Sequence, residues 1–246
     1  MPMERVLAPA KLTLALRVVG VRADGYHLID AEMTTLDLAD EIDIVETPDA
    51  DSSVAYRGEF ADGLVGDGRD LVSRALRHVG KSARVVVHKR IPHGGGLGGG
   101  SADCAAILRW ASHHDLSGAA NLGADVPFCL VGGRARVRGI GEVIEPIASR
   151  PGTVTLVVPP FGVSTPAVYA AWDEMGGPEA EGPNDLEPAA CRVEPRLVEW
   201  RERIAEVTGR SPILAGSGST WFVRGRVDDV AIARLSPARV TTVGHL

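Results

Sequence analysis

Apolar and polar residues alternate from Leu12 to Val18, placing Leu12, Leu14, Leu16 and Val18 on one side and Lys11, Thr13, Ala15 and Arg17 on the other. A period of two marks a half-buried strand. The Asp24-Gly25 pair predicts a turn after it, and strand-like stretches follow at 31–37, 41–47 and 83–90, the last rich in valine. Leu71, Ala75, Leu76 and Val79 stand at helical spacing within 70–79. Beyond residue 90 a glycine-dense stretch gives way to a helical run opening at Ser101, with Ser101 or Asp103 as its cap or first-turn residue. Residues 134–147 read as two short strands broken by Gly139 and Gly141.

From 153 onward the order changes to a strand at 153–158, a helix at 165–173 and a second helix at 195–208 with Leu197, Trp200, Ile204 and Val207 on one face. Strands near 212–215 and 219–223, a helix at 228–235 and a strand at 239–243 complete it. This order suits an open sheet with helices on one face. Ser149, Pro151 and Gly152 interrupt regular structure, which sets a boundary between units 1–150 and 151–246, the last few residues packing back on the first unit. The stretch 174–184 reads as a mobile loop.

Composition narrows the class. At 246 residues, 45% of them apolar and 24% charged, the chain is globular and large enough for one big domain or two small ones. Its net charge of −6 with no basic run argues against nucleic acid as a partner. Cys104, Cys129 and Cys191 form no C-x-x-C pair and no disulfide framework, which fits a reducing cytoplasm. Glu4, Arg5 and Lys11 interrupt what would be a signal core, and no apolar run approaches a membrane span, so a membrane is not expected either.

Six glycines fill seven positions between Gly94 and Gly100. Without Cβ atoms a backbone can wrap an anion and aim its N–H groups inward, and a helix starting immediately afterwards adds its dipole. No Gly-Lys-Ser/Thr ends the run, so it is not a Walker A loop, and a cation for phosphate must come from elsewhere. Lys11 is a candidate, its bland alternative being a solvated strand end; only Lys11, Lys81 and Lys89 are lysines among 26 basic residues. Asp125, flanked by Ala124, Val126, Pro127 and Phe128, is either a carboxylate needing a partner or an ordinary helix cap before a proline. From the residues alone both readings stay open.

Together these segments resemble the GHMP kinase superfamily, and within it the branch that acts on diphosphocytidyl-methylerythritol. The likeness is carried by Ala8-Pro9-Ala10-Lys11-Leu12, by Arg22-Ala23-Asp24-Gly25-Tyr26-His27, by Gly123 to Phe128 and by the phosphate loop Pro92, His93, Gly94, Gly95, Gly96, Leu97, Gly98, Gly99, Gly100, Ser101 and Ala102. Gly139-Ile140-Gly141-Glu142, Asn184-Asp185-Leu186-Glu187 and Gly216-Ser217-Gly218-Ser219 follow in the family's order.

The resemblance implies an α+β fold of two domains, the first ribosomal-S5-domain-2-like and the second a ferredoxin-like α/β plait. It implies ATP-dependent phosphorylation of the substrate's 2-hydroxyl in non-mevalonate isoprenoid synthesis, with Asp125 as general base, Lys11 as its partner and the phosphate loop on ATP. Mg²⁺ is the implied metal, with the Ser101 hydroxyl as a possible ligand, and the protein is expected as a monomer or homodimer. Tyr26 and Tyr169 would sandwich the cytosine, His27 would bond its polar edge, and Thr13 would touch substrate. Three departures stand out: Thr13 and Asp70 each occupy a place where the family usually has Asn, and the stretch from Trp110 to Gly123, the loop before residue 70 and the C-terminal tail are shorter than the resemblance leads one to expect. Two alternatives accompany this reading, another small-molecule kinase of the superfamily or a catalytically weak nucleotide-binding homologue.

Overall fold

The computed structural model describes residues 2–48 and 50–245. Strand β1 (Glu4–Val21) turns through residues 22–26 into β2 (His27–Glu46), and the two run antiparallel along their length. The stretches expected at 31–37 and 41–47 are therefore one strand. Asp40, in the gap between them, is fully buried, because Lys89 and the backbone N–H groups of Arg90 and Ile91 satisfy its carboxylate. Irregularities at Pro9/Lys11 and Thr13/Ala15 bracket Lys11, Leu12 and Thr13, and all three are buried, so the predicted half-buried alternation fails there. Bulges re-aim side chains in this way.

Next along the chain come β3 (Ser53–Arg57), α1 (Leu71–His78), β4 (Ala83–His88), α2 (Gly99–Trp110), α3 (Leu116–Leu122), α4 (Val126–Val131), β5 (Arg134–Gly139) and β6 (Val143–Pro146). The second half holds β7 (Gly152–Val158), α5 (Thr165–Glu174), α6 (Glu187–Val193), α7 (Arg196–Thr208), β8 (Ile213–Leu214), β9 (Trp221–Arg224), α8 (Asp229–Ala233) and β10 (Arg239–His245). β3 and α6 were not expected. β3 is too short to show a period, and α6 is a seven-residue helix with a proline in its first turn, too short to show one either.

β2 organises the first sheet. One edge takes β1, while the other is shared by β5 at Ile29 to Thr34 and β4 at Glu41 to Glu46. Between those two partners Leu36 meets His245, which joins β10 and its neighbours β7, β9 and β8 to the first sheet. Leu12, Leu36, Ile42, Ile44, Leu76, Ile107 and Leu108 fill the core on the first side, and Leu156, Leu197, Ile204, Trp221 and Phe222 on the second. The stretch 174–184 is tied down rather than loose. Trp172 Nε1 donates to Pro178 O at 3.1 Å, Arg17 to Ala180 O at 3.1 Å, and the Ala180 N–H to Asp185 at 3.0 Å.

Candidate active site

Three distant segments meet at Lys11. Its backbone N–H donates to Leu97 O in the glycine loop at 3.0 Å, and its ammonium lies 3.2 Å from Asp125 Oδ2 and 3.2 Å from Thr13 Oγ1. A lysine on a strand edge would normally reach for water; this one is 5% exposed, held by the bulged strand. Asp125 resolves the choice left open by the residues. It stands at the N-cap of α4, yet its side chain makes no capping bond and faces Lys11, with 32% of its surface open to the cleft. Gly141 secures that segment, since any Cβ there would fall 2.3 Å from Ala124 O.

The helix after the glycines begins earlier than expected. Gly98 at φ +70° is the N-cap of α2, Ser101 sits in its first turn, and Asp103 is a buried residue inside it, so neither is the cap. The left-handed backbone at Gly98 explains why a polar cap is absent: a residue with a side chain would be strained there. The glycines also have separate reasons to lack side chains. A Cβ on Gly95 would meet Thr220 Oγ1 at 2.6 Å, one on Gly96 would meet Ala215 O at 2.3 Å, and one on Gly98 would meet Lys11 Cγ at 2.8 Å. Close packing against the second half of the chain, as well as access to an anion, thus fixes the composition. Pro92, Leu97 and Ala102 are buried, whereas His93, Gly94 and Gly100 are exposed.

A methyl at Gly98 would therefore push on Lys11 itself, so the backbone of the loop and the side chain of the strand are fitted to each other.

Lys11, Thr13, His27, Ser101, Asp125 and Tyr169 all line one cleft of about 240 Å³. A larger groove of about 600 Å³ holds neither Lys11 nor Asp125, and two of its arginines pair with carboxylates in its own wall, Arg90 with Glu41 and Arg239 with Glu59. The smaller cleft is the one that brings Lys11 and Asp125 together.

Tyr26 does not reach it. That ring is 59% exposed in the turn, with the Arg22 guanidinium 5.8 Å from its centroid. His27 covers Tyr169 instead, ring centroids 4.6 Å apart at 33°, with the edge of Trp172 at 5.6 Å and Asp173 Oδ1 2.8 Å from His27 Nε2. The Tyr26–Tyr169 sandwich is not formed in this structure. Burial, with the Asp125 charge second, pushes the Tyr169 hydroxyl up to about 12.

Both departures from the family pattern have local partners. Thr13 accepts from Lys11, and Asp70 caps α1 by accepting from Ser73 N at 2.9 Å and Ser73 Oγ at 2.6 Å, with Tyr56 OH donating to it at 3.0 Å. Burial and the Asp70 charge hold the Tyr56 hydroxyl well above the usual phenol range.

Sequence reasoning missed Thr165 and Ser217, whose hydroxyls lie 2.7 Å apart in the cleft wall. Thr165 stands one helical turn before Tyr169, and that spacing was the available signal. Among the described residues no group of three or more His, Cys, Asp or Glu could hold a metal, and no helix is long and apolar enough to cross a membrane.

Residues 70–133 match the model of the GHMP kinases N terminal domain. A 4-diphosphocytidyl-2-C-methyl-D-erythritol kinase of Paracoccus denitrificans is 37% identical over 260 aligned residues, covering 98% of this chain and 93% of that one. The crystal structure of a 4-(cytidine 5'-diphospho)-2C-methyl-D-erythritol kinase superposes with a TM-score of 0.76 at 32% identity, covering 98% and 99% of the two chains. Mevalonate kinase from Methanococcus jannaschii reaches a TM-score of 0.60 at 14% identity over 100% and 99%, a likeness of fold alone. The architecture is that of the GHMP kinases. With identity at this level running almost end to end, through the strand of Lys11 and the segment of Asp125 alike, the chain belongs to the 4-diphosphocytidyl-2-C-methyl-D-erythritol kinase family.

Proposed function

We propose that the cleft at Lys11 is where this kinase moves the γ-phosphoryl group of ATP onto the 2-hydroxyl of 4-diphosphocytidyl-2-C-methyl-D-erythritol. The observation that carries the reading is the 3.2 Å contact between Lys11 Nζ and Asp125 Oδ2 at the rim of the glycine loop. Asp125 accepts the hydroxyl proton as the substrate oxygen bonds to phosphorus and the bridging oxygen leaves with ADP. Lys11 orients that carboxylate and offsets charge on the group in flight. Phosphoryl transfer asks mostly for alignment and charge neutralisation, and a buried ammonium supplies both.

The first turn of α2, from Gly98 to Ser101, presents unpaired N–H groups to phosphate oxygens. Hard oxygen donors suit Mg²⁺, and Ser101 with the nucleotide's own phosphates and water would hold it; when bound, it neutralises charge between the β- and γ-phosphates. His27 and Tyr169, packed together in the cleft wall, offer aromatic surface for the cytosine, with Trp172 backing His27. The Thr165 and Ser217 hydroxyls suit the substrate's diphosphate. Residues 1–150 serve as the nucleotide-binding, S5-like unit and 151–246 as the ferredoxin-like plait, the antiparallel order β10-β7-β9-β8 supporting the second assignment.

ADP release by the purified protein tests the reading. Turnover is expected with the cytidylated methylerythritol and not with mevalonate or homoserine, and the reverse pattern would move the chain to another kinase of the superfamily.

A further inference from the structure

Asn184 lies in a loop between two helices and would ordinarily be solvated, but it is 1% exposed. Its Nδ2 group donates to Leu214 O at 2.9 Å and to Gly216 O at 2.7 Å, while Oδ1 accepts from Leu186 N at 3.0 Å. Both donors of the amide are spent on one short stretch of backbone. That stretch faces the reacting groups: a Cβ on Gly216 would stand 3.8 Å from Thr13 Oγ1 and 3.9 Å from Lys11 Nζ. Ser217, the next residue, lines the cleft.

Asn184 is also anchored to the strand that carries Lys11. Leu16 N donates to Pro183 O at 2.8 Å, and Asp185 N donates to Leu16 O at 3.0 Å. We infer that Asn184 is a positioning residue for the proposed transfer, holding the Leu214–Ser217 backbone against Lys11 and Thr13 so that the two halves of the chain share one rigid cleft wall. The inference rests on the functional reading above, but the contact it describes exists without turnover.

Residues 183–185 have independent supports. Asp185 accepts from Arg17 at 2.6 Å, Val18 N at 3.0 Å and Ala180 N at 3.0 Å, so the loop keeps its place when the Asn184 amide is removed. Asn184→Ala should therefore release the 214–217 backbone selectively. Misplacement of about 1 Å near reacting groups can cost about 100-fold in rate.

The experiment pairs hydrogen exchange across 212–220 with kinetics of the intact Asn184→Ala protein. Faster exchange at 214–217, kcat lowered by about 10- to 100-fold and little change in the KM for ATP are expected. Unchanged exchange at 214–217, or faster exchange with wild-type kcat, would overturn the role. Asn184→Ser, with one short donor in place of two, gives the same readouts should the alanine variant not fold, and an intermediate loss is expected. If the parent protein turned over no substrate, the functional reading would fail, while the exchange comparison would still decide whether Asn184 holds this wall.

Discussion

Asp125→Asn is expected to lower kcat by about 10²- to 10⁴-fold with little change in the KM for ATP, the loss typical of removing a general base. The substitution keeps shape and removes the proton acceptor. The carboxylate caps nothing in α4, so only the loss of charge opposite the buried Lys11 bears on folding, and the thermal midpoint is expected to fall modestly with the variant still folded. Lys11→Ala should act mainly on kcat as well, because its ammonium touches the reacting carboxylate while the amides of α2 are left to hold phosphate. The two groups form one contact, so the double variant should lose far less than the product of the single losses. ADP release under saturating ATP measures all three proteins. Turnover of Asp125→Asn near the parent rate would remove the base from the mechanism, and a pure KM effect in Lys11→Ala would make that residue a binding group only.

How much of this site could be read from the chain depended on whether each residue's environment was local. The glycine loop was legible as a candidate because its composition is itself the signal: few other roles ask for six glycines between a valine-rich strand and a helix. Lys11 was legible as a candidate but not as a buried group. Alternation with Leu12 points it outward, and only the bulges on either side and the Gly216 backbone arriving from the other half of the chain enclose it. Tyr26 shows the converse, a residue in a telling motif whose ring the turn leaves in solvent. Asn184 was legible as part of a motif but not as a buried amide, since a polar residue in a loop is solvated unless a distant segment covers it. The long strand β2 reads as two stretches from the chain alone, and its continuity depends on a distant partner: Asp40 at the join is buried only because Lys89, 49 residues away, neutralises it.

Lys89→Met is expected to destabilise the protein by about 3–5 kcal/mol, the usual cost of removing one partner from a buried ionic cluster. Lys89 is 3% exposed and bonds both Asp40 and, at 2.7 Å, Asp103, which are 0% and 1% exposed. Against the cost of burial, the two carboxylates hold its ammonium above the ordinary lysine range. One cation cannot satisfy two carboxylates equally. Asp40 also accepts from Arg90 N at 2.5 Å and Ile91 N at 2.9 Å, whereas Asp103 Oδ1 has no partner, so Asp103 is the surplus acid and burial pushes it up to about 8. Between the ordinary carboxylate value of about 3.8 and about 8 the folded chain thus holds more proton at Asp103 than the unfolded chain does. The contribution of this residue to stability is present at the acid end of that window and falls as pH rises through it. Asp103→Asn should flatten the dependence at little cost. Removing Lys89 raises Asp103 further, so the Lys89→Met deficit is expected to widen on the alkaline side of about 8. Denaturant melts on either side of that value measure both effects. A Lys89→Met protein as stable as its parent on both sides would mean that water reaches the cluster. The consequence for catalysis follows from position, since a Cβ on Gly99 would lie only 3.3 Å from Lys89 Nζ: the cluster underpins the first turn of α2, and its loss should also raise the KM for ATP.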